Sequence, residues 1–308
     1  LSIRQHTEFL KLHADRLGFL SCGIAEAKPL DEDARRLAAW LNKGFHGKMK
    51  YMENHFDLRT DPTKLVPGAK SVITLLFNYF PKENQSSSAP KIARYAFGND
   101  YHLVIREKLN ELLSLLRSEI GNINGRGFVD SAPVLERSWA KNAGLGWIGK
   151  NGNLITKHAG SYLFIATLIT DLELGFNNPF VTDHCGTCTQ CIDACPTQAL
   201  VGPQNLDASK CISYLTIELK DALVPTEFHE KMSGWMFGCD ICQEVCPWNR
   251  FAKPNHEAAF TPIPEILNLS SGEWQEMSKE TFDRVFRKSA LKRTKFEGIQ
   301  RNIGLLKS

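Results

Sequence analysis

Apolar residues recur every three or four positions over residues 4–17 and again over 31–43, which predicts two amphipathic helices. A short strand-like stretch, 19–25, lies between them. Val72 to Phe77 is a continuous apolar run and reads as a buried strand, whereas Pro81 to Pro90, with its consecutive serines, reads as a loop. Over residues 101–118 the pattern returns to helical spacing, with Leu103, Leu109, Leu112, Leu113 and Leu116 on the apolar side. Residues 127–130 read as a strand ending at Asp130, and Pro133 is placed to open a helix running to Ala143. Ser161 to Thr170 reads as another strand, and short helices follow over 262–308. These elements predict an α+β domain over residues 1–180, a cysteine-rich module over 181–255 and a basic helical segment over 256–308.

Composition narrows the class. Apolar residues make up 43% of the chain and charged residues 23%, ordinary globular values that exclude a disordered, collagen-like or coiled-coil protein. No uncharged run exceeds the thirteen residues between Lys157 and Asp171, short of the roughly 18 that a membrane helix needs. The first residues lack the apolar core of a signal peptide, so a cytoplasmic protein with no membrane association is expected. The net charge of +3 is unevenly spread: Arg284 to Ser308 carries eight Lys or Arg against the single acid Glu297. Such a basic end suits an anionic partner, nucleic acid being the commonest, with Lys292, Arg293 and Lys295 as candidate phosphate contacts; a solvated helix end is the bland alternative.

The cysteines decide the chemistry. Eight of the nine fall between Cys185 and Cys246. Cys185-x2-Cys188-x2-Cys191-x3-Cys195-Pro196 is the run with which bacterial ferredoxins wrap a 4Fe–4S cluster, and Cys239-x2-Cys242-x3-Cys246-Pro247 is a second, shorter run. In two-cluster ferredoxins the last cysteine of each run ligates the other cluster. Carried over, that crossing assigns Cys185, Cys188, Cys191 and Cys246 to one cluster, and Cys239, Cys242, Cys195 and the isolated Cys211 to the other. A pair of structural zinc sites also uses Cys-x2-Cys, but does not call for the doubled Cys-x3-Cys-Pro ending. Cys22, in an apolar stretch, is expected to be an inert buried thiol.

Three further patterns are near-misses. Gly144-Leu145-Gly146-Trp147-Ile148-Gly149-Lys150-Asn151 matches the spacing of a dinucleotide fingerprint and most of a phosphate-binding loop. The expected order there is helix then strand, the reverse of the fingerprint, and Asn151 stands where a phosphate loop needs Ser or Thr. Asp100-Tyr101-His102 begins like an Asp-x-His cobalt-ligating element, but Ile105 replaces its glycine, so His102 is expected to pack or hydrogen-bond rather than bind metal.

The stretches Val129 to Arg137 and Ala143 to Asn151, together with the eight-cysteine module, closely resemble epoxyqueuosine reductases. Tyr51-Met52, Leu65 to Ser71 and Gly98 to His102 fit the same family. The resemblance implies cobalamin, two 4Fe–4S clusters, a tRNA carrying epoxyqueuosine at the anticodon wobble position, and an electron donor it does not identify. It implies an oxidoreductase that converts the epoxide to the alkene with two electrons and two protons, in the last step of queuosine biosynthesis. The implied architecture is a cobalamin-binding domain like that of reductive dehalogenases followed by a ferredoxin-like module, in the short monomeric form without a C-terminal helical-repeat domain. Read alone, Asp130 is a cap for the next helix; the resemblance makes it the proton donor. Cobalamin contacts fall on Arg59, Asp130, Leu154, Ser213 and the turn Cys239, Asp240, Ile241 and Cys242. Arg137, Lys150 and Asn151 lie in the most family-like stretch with no role assigned. Two other readings are a dehalogenase of small organohalides and a two-cluster electron carrier with no substrate of its own.

Overall fold

The structure is a computed structural model and describes residues 2–306. Four strands, β1 (Ser21–Glu26), β2 (Ser71–Asn78), β3 (Gly125–Phe128) and β4 (Leu163–Thr170), form one antiparallel sheet in the order β1-β2-β4-β3. The apolar run of β2 has a simple cause: both faces of the sheet are covered. Ile73, Leu75 and Phe77 pack with Leu10 and Ala14 of α1 (Ile3–Arg16) and with Ile105, Leu109 and Leu112 of a long helix, Tyr101–Ile120. The alternate residues Val72 and Leu76 face the other way, toward Trp139 and Ala140 of the helix Glu136–Asn142. Side chains that alternate across a strand thus meet helices on both sides.

That last helix starts three residues later than its sequence suggests. Val134 N–H donates to Ala132 O at 2.8 Å, Leu135 is the N-cap without a side-chain bond, and the first turn begins at the acid Glu136. The strand before it also ends early, at Phe128. Asp130 therefore lies on a connecting loop with φ +53°, the left-handed region that costs a non-glycine residue about 1–2 kcal/mol. It does not cap the helix.

The C-terminal residues form helices over Pro264–Asn268, Ser271–Glu276, Lys279–Val285 and Lys295–Leu305. Ile266, Trp274, Phe282, Phe286 and Ile299 share one apolar core with Ile92, Phe97, Ile217, Met236 and Phe237. Two members of the basic end are structural. The Arg301 guanidinium donates to the carbonyls of Leu215, Leu219 and Asp221 at 2.7–2.9 Å, and Asn302 beside it bonds Thr216 O and Met236 O. Arg293 turns inward, as described below. Lys307 lies outside the described residues. Among those residues, no helix is long and apolar enough to cross a membrane.

The Gly144 to Asn151 segment shows why its glycines mimic nucleotide motifs. It runs from a helix into a two-stranded ribbon, Trp147–Ile148 with Leu154–Ile155, and no helix follows. Gly144 has φ +76°, and a Cβ on Gly146 would sit 2.2 Å from Ile155 O. The glycines answer to backbone crowding, not to a phosphate.

Candidate active site

Asp100 caps the long helix Tyr101–Ile120 by accepting from His102 N–H at 3.0 Å, the usual role of Asp at an N-terminus. The same carboxylate oxygen faces His102 Nδ1 at 2.7 Å, so the cap also fixes the imidazole. His102 Nε2 then points across to Asp130 Oδ2 at 3.3 Å, and Tyr101 donates its hydroxyl to that oxygen at 2.7 Å. Tyr101 is held by stacking on Phe164 of β4, with ring centroids 4.2 Å apart. Arg293 bonds Glu218 at 2.8 Å and lies 3.9 Å from Asp130 Oδ2. From the other side, Asp130 N–H donates to Glu136 Oε1 at 2.8 Å.

These groups form a proton store. Burial pushes the Asp130 carboxyl up, but His102, Tyr101 and Arg293 outweigh it and hold the group down to about 2. Burial lowers His102, yet its bonds to Asp100 and Asp130 win and raise it to about 9. Both ring nitrogens face carboxylates, so at neutral pH the ring is doubly protonated between two anions. Glu136 is pushed up to about 8 by its own burial and by the charge of Asp130, and so keeps its proton near neutrality.

Asp130, Tyr101, His102 and Arg293 share the wall of a cavity of about 280 Å³ with Ser213 and Cys211. A π-helical turn, Tyr214–Glu218, adds Tyr214, Ile217 and Glu218 to the lining. Such turns are frequent at functional sites. Arg59 stands behind this cavity: its Nη2 donates to the carbonyl of Tyr51, a lining residue, and its buried Nε has no partner. The remaining candidates are placed elsewhere. Leu154 is packed among Leu76, Ala140 and Leu163. Asp240 is buried, accepts from Arg94 N–H at 2.8 Å, and is pushed up to about 6 by burial. Ile241 packs near Ile212 and Leu215.

The eight clustered thiols are all free and fall into two spatial groups. Cys185, Cys188, Cys191 and Cys246 line a second cavity of about 210 Å³. Besides burial, Cys185 and Cys246 raise the Cys191 thiol, and Cys185 and Cys188 raise that of Cys246. In the other group burial again comes first: Cys211 and Cys195 raise Cys239, and Cys211 and Cys239 raise Cys242. Cys242 also feels Cys191, so the groups adjoin. Lys150 and Asn151 brace both: Lys150 Nζ donates to Gly186 O and Cys188 O at 2.7 and 2.9 Å, and Asn151 Nδ2 to Cys242 O at 3.2 Å. Arg137 Nη1 donates to Gly152 O at 2.7 Å, fixing the ribbon that carries them. Cys22 lies apart, its thiol pushed up to about 12 by burial and therefore inert.

Sequence reasoning missed Glu136, Glu218 and Arg293 as site residues. The only signal for Glu136 was an acid at a helix start, and for Arg293 its charge pointed to the surface.

Comparison with known proteins follows the same division. Residues 184–249 match a 4Fe–4S double cluster binding domain, and residues 59–131 match the family described as epoxyqueuosine reductase QueG, DUF1730. An epoxyqueuosine reductase of Cyclobacterium marinum is 58% identical, over 100% of this chain and 98% of its own. A crystal structure of epoxyqueuosine reductase with a tRNA-Tyr epoxyqueuosine-modified stem loop superposes with TM-score 0.90 at 32% identity, covering 99% of this chain and 81% of that one. A reductive dehalogenase, whose dehalogenation is B12-dependent, has TM-score 0.52 at 16% identity over 98% of this chain and 38% of that one, a likeness of fold alone.

Proposed function

The chain belongs to the epoxyqueuosine reductase family, and on that premise we propose that the cavity shared by Asp130 and Cys211 is where epoxyqueuosine is reduced. The protein is an oxidoreductase of tRNA queuosine biosynthesis, converting epoxyqueuosine at the wobble position to queuosine. It uses two 4Fe–4S clusters and cobalamin. The observation that carries the site assignment is that one cavity is lined both by a poised proton, on His102 beside Asp130, and by Cys211, a thiol of the second cysteine group. Mass spectrometry of tRNA nucleosides from cells lacking the gene tests it: epoxyqueuosine should accumulate and queuosine disappear, and unchanged queuosine would refute the reading.

The residues fit the implied groups. Four thiols around a cavity of about 210 Å³ suit an iron–sulfur cube rather than a point ion. We assign Cys185, Cys188, Cys191 and Cys246 to one cluster and Cys195, Cys211, Cys239 and Cys242 to the other. The partnerless Arg59 Nε and the Ser213 hydroxyl are the polar groups that would hold cobalamin beside Asp130, whereas Leu154 and Asp240 are buried outside the lining of this cavity. When bound, the clusters pass single electrons and cobalamin supplies the low-valent reductant that the protein lacks. The division into residues 1–180, 181–255 and 256–308, a monomeric state and a cytoplasmic location belong to the same proposal.

The chain's own part is proton handling and orientation. Two electrons and two protons turn the epoxide into alkene and water. The proton is held on His102, which faces Asp130 Oδ2 at 3.3 Å and passes it through that carboxylate to the departing oxygen. Tyr101 and Arg293 keep the carboxylate aimed into the cavity. Glu136 is a positioning residue: its bond to Asp130 N–H holds the left-handed loop in place. Glu136→Ala should cut kcat about 10- to 100-fold through misplacement of the acid, with KM for tRNA unchanged. Glu136→Gln, which keeps the acceptor, should restore most of it; a raised KM instead would mean that Glu136 serves tRNA binding.

The inward turn of Arg293 and the bracing by Arg301 change which cations are free for tRNA. Arg287, Lys288 and Lys295 are exposed, whereas Lys292 is paired with Asp283 at 3.8 Å; Lys288 adjoins the site through its carbonyl, which accepts from Asp100 N–H at 2.5 Å. Replacing Arg287, Lys288 and Lys295 by alanine should flatten the salt dependence of tRNA binding by about 0.7–0.9 log units per lost phosphate contact. An unchanged slope would make them a solvated face.

A further inference from the structure

The two cysteine groups open on different cavities, and this polarity has a consequence for how electrons enter. Cys211 faces the cavity of Asp130, so its group is the exit. The group of Cys185, Cys188, Cys191 and Cys246 opens instead on the second cavity, where Lys150 and Arg250 are the charged side chains in the wall and no acid lines it.

A continuous belt of rings rims that opening. Phe180 touches His184, His184 touches Trp248, and Trp248 touches Phe251, with centroid separations of 5.7–5.9 Å. Each end of the belt carries a cation over a ring: Lys157 at 5.6 Å from Phe180 and Arg250 at 4.5 Å from Phe251. Val181, beside Phe180, is 86% exposed. The nearby acids are turned to local work. Asp183 accepts from Cys185 N–H at 2.8 Å, and Asp193 from the Thr189 hydroxyl at 2.7 Å. Glu244 is paired with Arg94 at 2.6 Å.

An apolar centre with a positive rim, directly over a redox-active pocket, matches a negatively charged partner presenting its own redox group. We propose that this belt is the docking surface for a small acidic one-electron carrier protein, of flavodoxin or ferredoxin type. The proposal rests on the reading of these four thiols as cluster ligands. Each docking oxidises the carrier by one electron and reduces the thiolate-held centre by one; no bond forms between the proteins, and two dockings supply the two electrons of one turnover.

The test uses the cofactor-loaded protein without tRNA, following bleaching of its visible cluster absorbance in a stopped-flow instrument. The reductants are an acidic flavodoxin hydroquinone, a reduced acidic ferredoxin and reduced methyl viologen, a small cation that needs no docking surface. In the pair Lys157→Glu with Arg250→Glu, at least one carrier should reduce the protein about tenfold more slowly or worse, with a flatter salt dependence, while viologen remains as fast. Unchanged rates with both carriers would overturn the proposal. Should the variant lose a cluster, seen by electron paramagnetic resonance, the milder Lys157→Gln, Arg250→Gln pair is read by calorimetric binding of the oxidised carriers, and unchanged affinity for both overturns it. Failure of viologen-driven epoxyqueuosine reduction in the unaltered protein would count against the function, not the docking surface.

Discussion

Asp130→Asn should fold, fill both clusters and lose roughly 100- to 10,000-fold in kcat, the range over which a positioned general acid contributes. The amide keeps the shape of the carboxylate and can still accept from the Tyr101 hydroxyl, and the Asp130 N–H bond to Glu136 belongs to the backbone and survives. Since Asp130 caps no helix, no local unfolding is expected. What disappears is the anion. His102 then loses one of the two partners that raise it to about 9, and the amide cannot relay its proton.

The pH dependence follows with a definite sign. His102 is raised in the folded protein, so its contribution to stability is complete below its ordinary value of 6.5 and is lost as pH rises through about 9. Thermal unfolding should therefore drop across that window, and less steeply in Asp130→Asn. Activity of the unaltered protein should hold until its alkaline limb near pH 9, where His102 gives up the proton that it passes through Asp130. Near-normal turnover in a folded, cofactor-loaded Asp130→Asn sample, measured by nucleoside mass spectrometry, would return Asp130 to a structural role.

The contrast between the two halves of the site explains what could be read from the chain. Cluster ligation is local: two intervening residues set the reach of successive thiols, so spacing alone exposed the cysteine module. The proton site is assembled from distance. Its parts come from the start of the helix Tyr101–Ile120, the loop at Asp130, the π-helical turn at Glu218 and the segment carrying Arg293. No periodicity links these positions. The near-miss pattern Asp100-Tyr101-His102 was informative in a different sense from the cobalt motif it resembles, because the cap at Asp100 orients a histidine toward a carboxylate. Arg293 and Arg301 were indistinguishable from phosphate-seeking cations until Glu218 and three backbone carbonyls were seen to hold them. The buried strand at Val72 to Phe77 and the helices at both ends were legible, since burial pattern and period suffice for them.

Cys211→Ala should separate the two cysteine groups experimentally. Cys211 is the one cluster-group thiol outside both runs, and it adjoins Cys195 and Cys239 while facing the cavity of Asp130. Its removal takes one ligand from that group and none from the group of Cys185, Cys188, Cys191 and Cys246. The turn that follows should persist, because Thr216 donates to Ile212 O at 2.7 Å and accepts from Gly238 N–H at 3.0 Å. Anaerobically purified protein should hold about eight irons and eight labile sulfides, and the variant about four of each. The cluster that remains should still accept an electron from reduced methyl viologen, with its own paramagnetic signal. Epoxyqueuosine reduction should nevertheless fall to background, because the route from the surface to the cavity ends at the group that has lost its ligand. Eight irons and full activity in Cys211→Ala would make Cys211 a wall residue only; two zincs and no sulfide in the unaltered protein would overturn the cluster assignment itself.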